Sequence, residues 1–318
     1  MRYRLMIAAF AALAAPLAAQ DPPRFTGVAL QPNGEMLLRL NAPAGLNYRI
    51  DVSTNLPGWR SLASLAGTGI CQHVDSAAPF LPSRHYRASR LTDPSFVTGD
   101  HLVTTNGDVV IHPVNHASIA MRWKERIIYV DPAANSFSAI PRADLILFTH
   151  SHGDHFNAGA IATLTNHQAS IIAPQAVYTS LSNGLKSITV VLTNGMSTNM
   201  AGLTIEAVPS CNLANTPHAR GVGNGYVLTI GGRRIYIAGD TEDIPEMRAL
   251  RDIDVAFLPM NSPTMTVDQA VSAVRAFRPG VVYPCHYRNS GGTFADVASF
   301  KLQVMQNPGT EVRLRPWY

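Results

Sequence analysis

Thr149-His150-Ser151-His152-Gly153-Asp154-His155 places four metal-ligand side chains, three imidazoles and one carboxylate, within six residues. It follows Asp144-Leu145-Ile146-Leu147-Phe148, an apolar run of the kind that forms a buried strand. Side chains on an extended backbone repeat every two residues, so the H-x-H spacing sets His150 and His152 on one side. Gly153 can turn the chain back, which presents Asp154 and His155 separately. One loop can thus offer two imidazoles to one metal ion, and a carboxylate with an imidazole to a second. Neutral imidazole and carboxylate suit zinc first, with manganese or iron as alternatives. A polar loop that happens to be rich in histidine would not account for this spacing directly after a buried strand.

The motif resembles the signature of the metallo-β-lactamase fold, and the resemblance extends over about residues 100–318. It implies an αββα sandwich whose further ligands come from distant strand ends. Ile235-Tyr236-Ile237-Ala238-Gly239-Asp240 runs from an apolar strand into a carboxylate, and the resemblance makes Asp240 a bridge between two ions. Val281-Val282-Tyr283-Pro284-Cys285-His286 likewise makes His286 the last ligand of the second metal. Most members supply another histidine just after an intervening strand. Here Leu203-Thr204-Ile205-Glu206-Ala207-Val208 is followed by Pro209-Ser210-Cys211-Asn212, and the nearest imidazole is His218. Asn212 and His218 are therefore both candidates for metal or substrate contact. Asn115-His116-Ala117-Ser118 resembles the G-H-x-S-like turn of lactonase-like and phospholipase-D-like branches, which makes His116 a candidate lining residue. Asp131 is expected to support the ligand loop from behind. Arg220 and Tyr287 are candidate substrate contacts.

The implied chemistry is hydrolysis by a metal-activated water on an ester, lactone or phosphodiester, with two divalent ions and Asp154 as metal ligand and orienting residue. Segments such as Gly223-Asn224-Gly225-Tyr226-Val227 and Ala238-Gly239-Asp240-Thr241-Glu242 are similar to the ascorbate-6-phosphate lactonase-like branch. The best-known β-lactamases place a cysteine where Asp240 stands, which disfavours antibiotic hydrolysis. RNA-processing nucleases of the fold carry a large inserted domain, and none fits between His155 and His286. Two other classes stay open: a mononuclear iron oxygenase on the same fold, and a non-catalytic binding relic. Gly221-Val222-Gly223-Asn224-Gly225 leads into a strand rather than opening a helix, so it is no dinucleotide cradle and is expected to form a tight turn near the metal site.

The 318 residues are long enough for two domains. Scattered charge, 25 basic against 21 acidic residues, gives no basic block and no support for nucleic-acid binding. Met1-Arg2-Tyr3-Arg4, an apolar stretch over residues 5–15 and a small-residue region to Gln20 read as a secretory signal, expected to be cut after Ala19 or Gln20. Removing Arg2 and Arg4 leaves 23 basic against 21 acidic residues, a charge of +2. The expectation is an exported protein, periplasmic or secreted, without stable membrane insertion after cleavage, acting on a small molecule. The three cysteines, Cys71, Cys211 and Cys285, make no disulfide framework and are expected to be small buried hydrophobes.

Residues 21–98 read as a separate all-β sandwich. Short alternating runs at 25–30, 35–40 and 48–52 are separated by Pro32-Asn33-Gly34 and Ala42-Pro43-Ala44-Gly45. Its pattern from Tyr48 to Trp59, with His85-Tyr86-Arg87-Ala88 later, resembles fibronectin-III-like accessory modules; its partner is left open. Residues 91–100 read as a linker, and 99–318 as the catalytic domain. There, strands are expected at 108–113, 118–123, 126–130, 169–173, 187–192, 203–208, 225–230, 234–238, 255–259 and 281–284. Helices are expected at 157–164, 174–181, 244–251 and 267–277.

Overall fold

The computed structural model describes residues 22–91, 98–133, 137, 140–307 and 309–318, with the side chains of 166–168 excepted. The expected export signal, and most of the expected linker, lie outside the described residues. The chain divides into two compact units: one takes in the residues up to Val103 together with Asp108–His112, the other Thr104–Gly107 and Pro113–Tyr318.

The first unit is built from antiparallel strands. β1 (Arg24–Leu30), β2 (Met36–Ala42) and β5 (Gly69–Asp75) form a three-stranded sheet in the order β1-β2-β5; β3 (Asn47–Ser53) lies between β4 (Arg60–Ala66) and β6 (His85–Leu91) in another sheet. β7 (Gly99–Leu102) adds to β4, and β8 (Val109–Asn115) pairs with β7 at Asp100↔Ile111. The period of two is plain in β2, where Leu38, Leu40 and Ala42 are buried while Arg39 and Asn41 are exposed. Leu38 packs with Ile50, Val52, Leu62, Ala63 and Tyr86, so this core joins the two sheets. Burial of each large side chain contributes about 1.5–3 kcal/mol. Asp75 is also buried. It receives two hydrogen bonds from Arg84, both 2.8 Å, and one from the Tyr86 hydroxyl at 2.9 Å.

The second unit is an α/β sandwich with few helices. Its first sheet contains β9 (Ser118–Trp123), β10 (Arg126–Val130), β11 (Ala143–Leu147), β12 (Thr165–Ala173) and β13 (Thr189–Val191) in the order β13-β12-β11-β10-β9. Only the β9–β10 pair is antiparallel. The other sheet runs in sequence order through β14 (Ser197–Met200), β15 (Leu203–Ser210), β16 (Gly223–Ile230), β17 (Arg233–Ile237), β18 (Val255–Pro259), β19 (Val281–Cys285) and β20 (Glu311–Val312). Pairing is antiparallel as far as β17 and parallel beyond it. All five residues of β18 are buried, as expected of a parallel strand covered on both faces.

Helices α1 (Ala158–Leu164), α2 (Gln175–Ser180), α3 (Asn183–Lys186), α4 (Pro245–Arg248), α5 (Val267–Phe277) and α6 (Val297–Met305) complete the unit. Thr266 and Gln269 cap α5 reciprocally, satisfying two of its free N–H groups. Its buried residues Ala270, Val271, Ala273, Val274 and Phe277 recur on one helical face and pack with Ala256, Leu258, Val282 and Phe300. The expected helix at 244–251 is shorter, and α3, α6, β5, β7, β14 and β20 were not anticipated. The pattern of α6 conceals it: Leu302 is 61% exposed while Lys301 is buried, the reverse of an amphipathic reading.

Candidate metal centre

Most of the candidate residues sit at or just beyond a strand's carboxyl end, while His218 stands in the loop between β15 and β16. His150 follows β11, Asp240 follows β17, His286 follows β19, Asn212 follows β15 and His116 follows β8. Asp131, just past β10, turns with a positive φ of 45° and fastens the histidine loop. Its Oδ1 accepts the Thr149 N–H at 2.7 Å; its Oδ2 accepts the Thr149 hydroxyl at 2.6 Å and contacts His155 Nδ1 at 2.8 Å. Thr149 was not singled out by the sequence, yet it links Asp131 to His150.

These contacts fix the tautomers. His155 Nδ1 must donate to the Asp131 carboxylate, leaving a lone pair on Nε2 in the neutral ring. The Thr149 hydroxyl spends its proton on Asp131, so it accepts from His150 Nδ1 at 3.0 Å. His150 Nε2 is therefore an acceptor too. Asn212 donates through Nδ2 to the Pro263 carbonyl at 2.6 Å, which orients its Oδ1 toward His218. That oxygen accepts the His218 backbone N–H at 3.1 Å and Nδ1–H at 2.6 Å, so His218 Nε2 also presents a lone pair.

The lone pairs converge on Asp240. Its Oδ2 lies 3.2 Å from His218 Nε2, 3.5 Å from His286 Nε2 and 3.8 Å from His150 Nε2; its Oδ1 lies 3.3 Å from His155 Nε2. His150 Nε2, His155 Nε2 and Asp240 Oδ1 are buried without a hydrogen-bond partner among the described residues. Acceptors aimed at acceptors repel unless a cation or proton stands between them. Three groups of ligand atoms, each lying within 4.8 Å of one another, can hold an ion: His150, His152, His218 and Asp240; His155, Asp240 and His286; and His116, Asp154 and His286. The donor set therefore fits divalent metal.

The electrostatics agree. Burial holds His150 well below the ordinary histidine value, helped by repulsion from His155, and burial lowers His152. Burial opposes charge on His155 as well, but the Asp240 and Asp131 carboxylates overcome it and raise that group well above the usual value. Without a metal, His155 Nε2 thus carries a proton where a cation would sit. Burial would raise Asp240, but His155 and His286 hold it well below the carboxylate range. Burial is likewise overcome at Asp154 by hydrogen bonds from His116 and His286.

Asp154 Oδ2 lies 3.1 Å from His116 Nε2 and 3.2 Å from His286 Nε2. Both histidines have positive φ, 56° and 47°. A cavity of about 760 Å³ opens over this cluster, lined by His116, His152, Asp154, His218, Asp240 and His286, with Arg288, Asn261 and Pro263 among its other walls. Arg220 stands elsewhere, in an ion pair with Glu246. Tyr287 packs against the core under α5 and α6 rather than lining the cavity. Cys211 and Cys285 are buried free thiols, as is Cys71.

The glycines near the site do more than turn. Gly223 and Gly225 lie inside β16 and only Gly221, at φ 81°, is in the turn. A Cβ on Gly225 would come within 2.9 Å of the Ala238 carbonyl. Gly239 has φ 64°, and a Cβ there would meet Ser210 Oγ at 2.9 Å and Thr149 Cβ at 3.0 Å. These strands approach one another too closely for side chains.

Comparison with known proteins agrees with this architecture. Residues 108–287 match the family described as "Beta-lactamase superfamily domain". A Pyrococcus abyssi protein named UPF0173 metal-dependent hydrolase is 33% identical over 185 residues, covering 54% of this chain and 81% of its own length. The crystal structure of a candidate metal-dependent hydrolase from Parabacteroides distasonis is 40% identical, with a TM-score of 0.62 over 69% of this chain and 99% of that one. A diiron β-hydroxylase from Streptomyces venezuelae shares the fold, with a TM-score of 0.51 at 17% identity over 88% of this chain and 68% of that one. The chain belongs to the beta-lactamase superfamily, in its UPF0173 metal-dependent hydrolase family.

Proposed function

We propose that this chain is an exported hydrolase that uses two divalent ions on an ester, lactone or phosphodiester. The observation that carries the reading is the convergence of bare, buried Nε2 atoms on one carboxylate. His150, His152 and His218 would hold one ion, Asp154, His155 and His286 the other, with Asp240 shared. Bound there, the ions supply Lewis acidity, acidifying water toward a pKa of about 7 and polarising the substrate oxygen. Asp131, Thr149 and Asn212 lock three imidazoles in the tautomer that leaves Nε2 free. Asp154, with its side chain 49% exposed, reaches the cavity and orients the attacking water by accepting its hydrogen bond. His116 steers that carboxylate from behind. The sequence signal at residues 1–20 supports export, and the β-sandwich unit is read as an accessory module.

Elemental analysis of chelator-free protein tests the reading. Two equivalents of zinc or manganese, with hydrolysis lost in Asp154→Ala, are expected. Nitrogen and oxygen ligands also suit iron, so one equivalent of iron with oxygen uptake would move the assignment to an oxygenase. No metal, and none taken up on titration, would leave only a binding relic.

A further inference from the structure

Among the described residues lining the cavity, Arg288 is the one arginine. Six arginines of the same unit, Arg122, Arg220, Arg233, Arg234, Arg248 and Arg313, pair with a carboxylate. Arg288 has no such partner among the described residues, and its guanidinium instead lies 4.8 Å above the Tyr318 ring. Its backbone is fixed on both sides. The Arg288 N–H donates to the Tyr318 hydroxyl at 3.2 Å, and its carbonyl accepts from Asn261 Nδ2 at 3.2 Å. The loop beyond is a built hairpin: Arg288 bridges to Phe294, the Asn289 N–H donates to the Thr293 carbonyl at 2.8 Å, and the Gly292 N–H donates to Asn289 at 2.9 Å.

Tyr318 connects this arm to the metal cluster, because its hydroxyl also contacts His116 Nδ1 at 2.7 Å. An exposed side chain thus stacks on Tyr318 beside a reactive cavity, and its five N–H donors meet no protein acceptor among the described residues. Among the described residues, the only carboxylates lining the cavity, Asp154 and Asp240, are those assigned to the ions. A planar fork so placed matches an oxyanion with two coplanar acceptors. With a single arginine and no basic stripe, the fit is to a small anion rather than a polyanion.

We propose that Arg288 binds a carboxylate or phosphoryl group that the substrate carries away from the bond to be cut, which makes the substrates anionic esters or lactones. This rests on the hydrolase reading above, and it deepens that reading by giving the cavity a polarity. Tyr318 positions the guanidinium and is not itself a contact to the reacting atoms.

The test uses the full-length, metal-loaded protein and matched esters: monomethyl glutarate, methyl 3-phosphonopropionate and neutral dimethyl glutarate. Hydrolysis is followed by pH-stat and binding by calorimetry, for wild type, Arg288→Gln and Arg288→Lys. Loss of a charge-assisted hydrogen-bond pair is worth about 10- to 100-fold in affinity. Arg288→Gln should raise KM and weaken binding by that factor for the charged esters, leave kcat nearly unchanged, and leave the dimethyl ester unaffected. Arg288→Lys, which keeps the charge but not the fork, should recover part of the loss. Whichever charged ester shows the larger effect identifies carboxylate or phosphoryl as the group held. Equal effects on charged and neutral esters, or none, would overturn the proposal, as would wild-type protein that binds neither charged ester. If no ester is turned over, yet charged esters bind in an Arg288-dependent way, the hydrolase reading falls and the anion site stands.

Discussion

Replacing Asn212 by alanine should strip one metal ion and spare the other. The buried amide makes three hydrogen bonds: two to His218, at 2.6 Å and 3.1 Å, and one to the Pro263 carbonyl at 2.6 Å. Each buried group left without a partner costs about 1–3 kcal/mol. The part felt by the metal is the loss of tautomer and ring control on His218, and losing such a support typically weakens affinity about 10- to 100-fold, or about 1.4–2.7 kcal/mol. His218 belongs to the group with His150 and His152, while Asp154, His155 and His286 make no hydrogen bond with Asn212 among the described residues. Competition with a chromophoric chelator should therefore change from two closely spaced equivalents to two separated ones, the weaker shifted by that factor. Asn212→Asp keeps the acceptor facing His218, forfeits the bond to Pro263, and should hold both ions within a few-fold of wild type. Wild-type affinity for both ions in Asn212→Ala, in protein that melts normally, would refute the role given to His218 and its support.

Three further outcomes follow from the geometry. His155 is raised in the metal-free state, so it is protonated at pH 7 and its proton must leave when metal enters; affinity should rise with pH, and calorimetry in buffers of different ionisation enthalpy should show about one proton released per chain, whereas none would contradict the assignment of Nε2 as a ligand. Asp75 is held below the ordinary carboxylate value: burial raises it, but the Arg84 hydrogen bonds and charge outweigh that. Its contribution to stability is therefore full above about pH 4 and is lost as pH falls through the lowered value. Asp75→Asn strands a buried guanidinium and should cost about 3–5 kcal/mol, seen as early proteolysis of the N-terminal unit with metal content unchanged; intact resistance would sink the argument. Gly239→Ala combines a left-handed backbone with contacts of 2.9 and 3.0 Å, and should cost at least 1–3 kcal/mol and displace Asp240, measurable as a lower melting temperature and reduced metal content.

The histidine loop was legible because its donors are consecutive and follow a strand whose burial shows in composition alone. Asp240 and His286 were legible for a related reason: apolar runs end in one ligand residue each, and parallel strands deliver their ends to a common edge. His218 was half legible. The sequence shows Asn212 at the strand end and an imidazole six residues on, but not that the amide turns back through a loop closed by cis Thr216–Pro217 to hold that imidazole. Arg288 and Tyr318 were missed because their partnership spans 30 residues and depends on where the hairpin folds. Arg220 looked equally suitable on paper, and only its pairing with Glu246 shows that its charge is already engaged. In the scaffold, α5 announced itself through its cap and stripe, while α6 hid because Lys301 is buried and Leu302 exposed, the reverse of their hydropathy.

The ligand cluster also draws its members from both sheets of the sandwich: the histidine loop hangs from the first, and Asp240, His218 and His286 from the second. An ion held between them is a rivet through two plates. Ligand linkage sets its strength: free metal a hundredfold above Kd adds about 2.7 kcal/mol per site, a large share of the stability of an ordinary domain. Abundance of the folded chain would then follow the metal supply of its surroundings, so that scarcity removes the protein by turnover as well as silencing it.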